Sequence, residues 1–124
     1  MFKKLKIFFY RKWFQFRLKK GDLIKVDDRH RRVGKTTMTI KLAMDKGYGI
    51  VVGNQGAYDH IKGMSHYVKV YRLAPNYTIE MRGLAGSVLI DESLSLEMVE
   101  FLQAEPQWEV RGGFIANYGG EKNA

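Results

Sequence analysis

Val33-Gly34-Lys35-Thr36-Thr37 stands between an apolar run and a helix-forming run, and its reading decides the fold. A phosphate oxygen needs donors that converge on it. Glycine lets the backbone come close, and the residues after it open a helix whose free N–H groups point at an anion. In such a loop Lys35 reaches the outer phosphates and the Thr36 hydroxyl ligates Mg²⁺. The triplet alone would also suit a solvated turn before an ordinary helix. Its neighbours decide. Downstream, Lys35 to Lys46 reads as a helix, with Ile40, Ala43 and Met44 facing a sheet and Gly47 placed to stop it. Upstream, Asp22 to Asp28 reads as a strand, its apolar cluster at Leu23, Ile24 and Val26.

Ser87-Val88-Leu89-Ile90-Asp91-Glu92 is the second anchor. An apolar run leading straight into two acids suits a buried strand that delivers carboxylates at its C-terminal end, where open α/β sheets bind ligands. By itself it would more readily be a strand ending in a charged turn. After a phosphate loop in the same short chain, the ligand reading is the stronger.

The remaining body alternates strands and helices. Gly49 to Gly53 is a short β-branched run and reads as a buried parallel strand. A short helix follows from Ala57 to about Gly63, and a strand from Tyr67 to Leu73. Ser95 to Gln103 reads as a helix, capped by Ser93 or Ser95, with Leu96, Val99 and Leu102 on one face. Glu109 to Tyr118 holds a last strand.

The first twenty residues differ from the rest. Lys3, Lys4, Lys6, Arg11, Lys12, Arg17, Lys19 and Lys20 occur there with no acid, and the remaining Lys and Arg equal the Asp and Glu in number. The whole formal charge of +8 therefore belongs to this arm. Phe2, Leu5, Phe9, Trp13 and Phe16 follow helical spacing, whereas Phe14, Phe16 and Leu18 alternate as a strand would. A helix to about Trp13 and an extended piece after it are expected. Three roles compete: binding nucleic-acid phosphates while stacking bases on the aromatics, lying on an anionic membrane surface, or packing the aromatics on the body with the cations solvated.

Composition bounds the rest. The 124 residues are enough for one core, and 45% apolar with 27% charged residues reads as globular. Without cysteine, disulfides and thiolate metal sites are excluded. His30, His60 and His66 lack metal-site spacing, so surface or hydrogen-bonded roles are expected of them. No apolar run approaches the roughly 20 residues that span a bilayer, and no clean apolar segment marks a secretory signal. A cytoplasmic location, with peripheral membrane attachment as the variant, is the expectation.

Val33-Gly34-Lys35-Thr36-Thr37 and Val88-Leu89-Ile90-Asp91-Glu92 resemble the Walker A and Walker B motifs of P-loop NTPases. The adjacent acids are similar to the branch with an additional catalytic glutamate. Within it, His30-Arg31-Arg32-Val33-Gly34-Lys35-Thr36-Thr37 looks most like the loop of phage large-terminase ATPases. The usual first glycine falls at Arg29, a position that terminase-like loops also relax. The sequence is far shorter than a terminase, without room for its nuclease domain, which implies a small virus-encoded relative or a reduced core working with a partner.

The resemblance implies a three-layer α/β core with a mainly parallel sheet of about four to six strands. Residues 1–20 would be an arm and 21–124 a minimal P-loop domain. It implies ATP and Mg²⁺ as ligands, cradled by Val33, Gly34, Lys35, Thr36 and Thr37. Lys35 would hold β- and γ-phosphates, Thr36 and Asp91 the Mg²⁺, and Glu92 would polarise the attacking water. Arg31 or Arg32 would steady γ-phosphate charge, and Asn117 would sense the γ-phosphate or be a plain turn residue. Preference for adenine also rests on the resemblance; there is no Asn-Lys-x-Asp motif for guanine.

In that branch the strands order as first, fourth, third, second, with the Walker A strand first and the Walker B strand third. The strand near Tyr67 would be an insertion or an edge. The first strand would then have a bare edge, which Trp13 to Leu18 is expected to cover as an antiparallel strand. Two functions follow: an ATPase acting on nucleic acid through the arm, or a nucleotide-binding interaction module with a protein partner or membrane surface. A homo-oligomer is compatible with either, with Arg82 or Arg111 as candidate trans-acting arginines.

Overall fold

Short apolar runs separated by helix-length segments leave one economical solution, a parallel sheet covered on both faces. The computed structural model has this form. It describes residues 2–26, 34–73 and 86–116, of which 2–8 as backbone only. The elements are α1 (Phe2–Lys20), β1 (Leu23–Val26), α2 (Lys35–Lys46), β2 (Gly49–Val52), α3 (Gln55–Met64), β3 (Lys69–Arg72), β4 (Gly86–Ile90), α4 (Leu96–Ala104) and β5 (Trp108–Ala116). All pairings are parallel, in the order β1-β5-β4-β2-β3. The expected order holds for β1, β5, β4 and β2, and the strand near Tyr67 is an edge, β3.

Successive strand residues alternate between two cores. Leu89 of β4 joins Ile50, Val52, Phe114 and the buried residues of α1, α2 and α3. Val88 and Ile90, one residue to either side, join Leu94, Met98, Val99, Leu102 and Trp108 on the α4 side. Three helices thus cover one face and α4 the other. β5 serves both β4 and β1, and its register on β4 slips by one residue between the pairs Val88↔Val110 and Ile90↔Gly113. Glycine is required at the slip: Gly113 has φ 139°, and a Cβ there would overlap the Ile90 carbonyl.

α2 begins and ends where expected, and Gly47 closes it in the left-handed region with φ 75°. Its buried residues are Met38, Thr39, Ile40, Leu42 and Ala43. Met44 was expected to face the sheet but is 51% exposed, because it lies one position past the stripe that meets the strands. Thr39 tolerates burial because its hydroxyl donates to the Lys35 carbonyl at 2.9 Å. In α4, Ser95 is the cap, accepting from the Met98 N–H at 3.2 Å. Leu96 is exposed rather than on the inner face, since this first helical residue precedes the turn that reaches the sheet.

The arm requires the main correction. Residues 2–20 are one continuous helix, so Trp13 to Leu18 is neither an extended piece nor an antiparallel strand beside β1. Phe14 and Leu18 lie four apart, so helical backbone buries both on one face, and Phe14 meets the edge of Phe114 at 5.4 Å between centroids. α1 therefore covers the face of β1 and β5 instead of the edge of β1. It ends at Gly21, φ 91°, where Asp22 N–H bonds the Arg17 carbonyl and the Asp22 carboxylate pairs with Arg17 at 3.0 Å. Among the described residues no helix is long and apolar enough to cross a membrane.

Candidate functional site

α2 starts at the C-terminal edge of the sheet with an unusual entry. Its N-cap residue, Gly34, is left-handed with φ 84°, and no side chain among the described residues is seen to cap the helix. The other two helices on strand ends are capped, α3 by Asn54 at 2.8 Å from the Ala57 N–H, and α4 by Ser95. Gly34 has no side chain to offer the first turn of α2, and the helix dipole there favours negative charge.

β4 brings the acid pair to the same place. Lys35 Nζ lies 3.5 Å from Glu92 Oε1, with the Lys35 side chain 13% exposed and that of Glu92 43% exposed. Gly34, Lys35, Thr36, Thr37 and Glu92 line a cleft of about 280 Å³. Asp91 is half-buried at the foot of the same turn. Its Oδ2 accepts the Ser93 N–H at 3.0 Å, and its own N–H donates to the Val51 carbonyl at 3.0 Å. The turn is fixed to β2 a second time, because Ser93 Oγ accepts the Gly53 N–H at 2.8 Å. Any side chain at Gly53 would run into the Ser93 backbone, since a Cβ there falls 2.9 Å from its carbonyl carbon. The acids are therefore carried on a doubly anchored turn.

Lys35, Thr36, Thr37 and Glu92 line one cleft, and Asp91 precedes Glu92 in the chain. Val33, Arg31, Arg32 and Asn117, together with Arg82, lie outside the described residues. Arg111 is described, but it lies toward the N-terminal end of β5, paired with Glu109 and donating to Ser87 Oγ at 3.3 Å. Two cleft residues escaped the sequence reading: His60 and Met64, on α3. Spacing four apart on a helix was the available signal; which flank of the loop α3 would occupy was not.

A hydroxyl and a carboxylate, Thr36 and Asp91, are the hard oxygen donors that Mg²⁺ takes alongside phosphate oxygens. Among the described residues no group of three or more His, Asp or Glu could hold a metal by itself. Comparison with protein-family models, curated proteins and solved structures finds no match.

Proposed function

We propose that the chain is a small Mg²⁺–ATP-binding P-loop ATPase that works with nucleic acid through its basic N-terminal helix. One observation carries the reading: Lys35 and Glu92, from motifs far apart in sequence, meet at 3.5 Å beside the N-terminus of α2. Lys35 would leave Glu92 for the β- and γ-phosphates, and the first-turn N–H groups of α2 would hold the same oxygens. Released, Glu92 would accept a proton from the water that attacks the γ-phosphate. Thr36 and Asp91 would hold Mg²⁺, which supplies charge neutralisation on the phosphates. The nucleic-acid part rests on the cations of residues 1–20 and on three exposed rings, Phe9, Trp13 and Phe16.

A second reading is a nucleotide-binding interaction module with little turnover. The exposure of Glu92 favours it, since an open cleft does not exclude bulk water from the reacting group. Mg²⁺-dependent ATP hydrolysis, with and without single- and double-stranded DNA, separates the two. Glu92→Gln should keep nucleotide binding and lower turnover about 100-fold or more, while Lys35→Ala should lose binding. Binding without turnover by the unaltered chain selects the module. A folded chain that binds no nucleotide defeats both.

A further inference from the structure

The loop at Gly34 has two flanks. α2 contacts β2 and β4, α1 contacts β1 and β5, and α3 contacts β2 and β3. With the sheet order β1-β5-β4-β2-β3, α2 lies between the other two helices. α3 supplies His60 and Met64 to the cleft shared by Lys35 and Glu92. On the other flank α1 brings Arg11 to the loop: a methyl group built on Gly34 would lie 3.8 Å from Arg11 Nε and 4.0 Å from Nη2. Arg11, Phe14 and Leu18 are spaced three and four apart, so burial of the two apolar residues fixes where Arg11 stands.

The nucleotide reading above, on which this inference rests, also gives the ligand a direction. Glu92 acts at the terminal phosphate, so that end belongs on the α3 flank. A phosphate tail wrapped around the first turn of α2 then leaves on the α1 flank, with its nucleoside. We propose that α1 is the nucleoside-side wall of the site and that the Arg11 guanidinium binds the phosphate nearest the ribose. A guanidinium suits this place because it stays charged and presents a planar fork of donors to phosphate oxygens. The basic helix is then part of the nucleotide site as well as a surface for a polyanion.

The test uses the full chain, ¹⁵N-labelled and titrated with Mg²⁺–ADP, beside calorimetry of Arg11→Ala and Arg11→Lys with Mg²⁺–ADP and Mg²⁺–ATP. The Arg11 Nε–H resonance should move along the same binding curve as the amides of Gly34, Lys35 and Thr36. Arg11→Ala should weaken ADP and ATP by one common factor, about tenfold or more, with part of the loss recovered in Arg11→Lys. A motionless Arg11 resonance beside moving loop amides would overturn this inference and leave the nucleotide reading standing. A loss confined to ATP would put Arg11 at the terminal phosphate and overturn it too. If no loop amide moves, the nucleotide reading falls and this inference with it. Should Arg11→Ala fail to fold, the resonance and Arg11→Lys decide.

Discussion

α1 carries aromatic residues on two opposite faces, and the two faces have different fates. Phe14 and Leu18 are 5% and 2% exposed, with Tyr10 stacked on Phe14 at 5.9 Å. Phe9, Trp13 and Phe16 are 62%, 60% and 64% exposed. Lys20 lies over the Phe16 ring at 5.1 Å, a cation–π contact at the surface. Both faces satisfy helical spacing, so spacing does not say which one is the core. Phe114 decides, because only the inner face meets the strands. These exposed rings stand among cations, where the proposed nucleic-acid contact would form.

The contrast can be broken from the inside. Phe14→Ala removes a ring packed on β5 and should cost about 3–5 kcal/mol in urea unfolding. A loss below about 1 kcal/mol would mean that α1 is not part of the cooperative unit. Gly21→Ala should cost about 1 kcal/mol or more, because it strains the left-handed turn that ends α1 and directs the chain into β1. Its Cβ would also approach the Arg111 carbonyl to 3.3 Å. The outer face should respond least in stability. Phe9→Ser, Trp13→Ser and Phe16→Ser should each shift unfolding by no more than about 0.5 kcal/mol. Together they should weaken binding to single-stranded DNA across a salt series. If they weaken sedimentation with anionic vesicles instead, the outer face belongs to a membrane surface.

Much of the fold was legible because local signals agreed. At α2, a glycine before Lys35, a helix-forming run and a glycine after Lys46 all state the same boundaries. The apolar runs of β2 and β4 are buried on both faces, which leaves continuous hydrophobicity as their mark. The arm was misread because Phe14, Phe16 and Leu18 alternate by coincidence: 14 and 18 belong to the inner face of one helix, and 16 to the outer. Lys35 and Glu92 were legible as neighbours because two motifs, each ambiguous alone, point to the same end of the sheet. His60 and Arg11 were not legible as site residues, because their approach depends on which helix lands on which side of α2. That is a property of the sheet order, and no window of sequence around either residue contains it.

The pairing of β1 has a consequence for how the chain is made. β1 hydrogen-bonds only to β5 among the described strands, from Leu23 opposite Gly113 to Val26 opposite Ala116. The strand that leads into the loop at Gly34 therefore waits for the strand furthest from it in sequence. During synthesis β2 and β3 can join early, because α3 alone separates them, whereas β1 has to be held unpaired until β5 emerges. Closing so long a span is entropically slow. β1, made before the other strands described, is thus among the last of them to be paired.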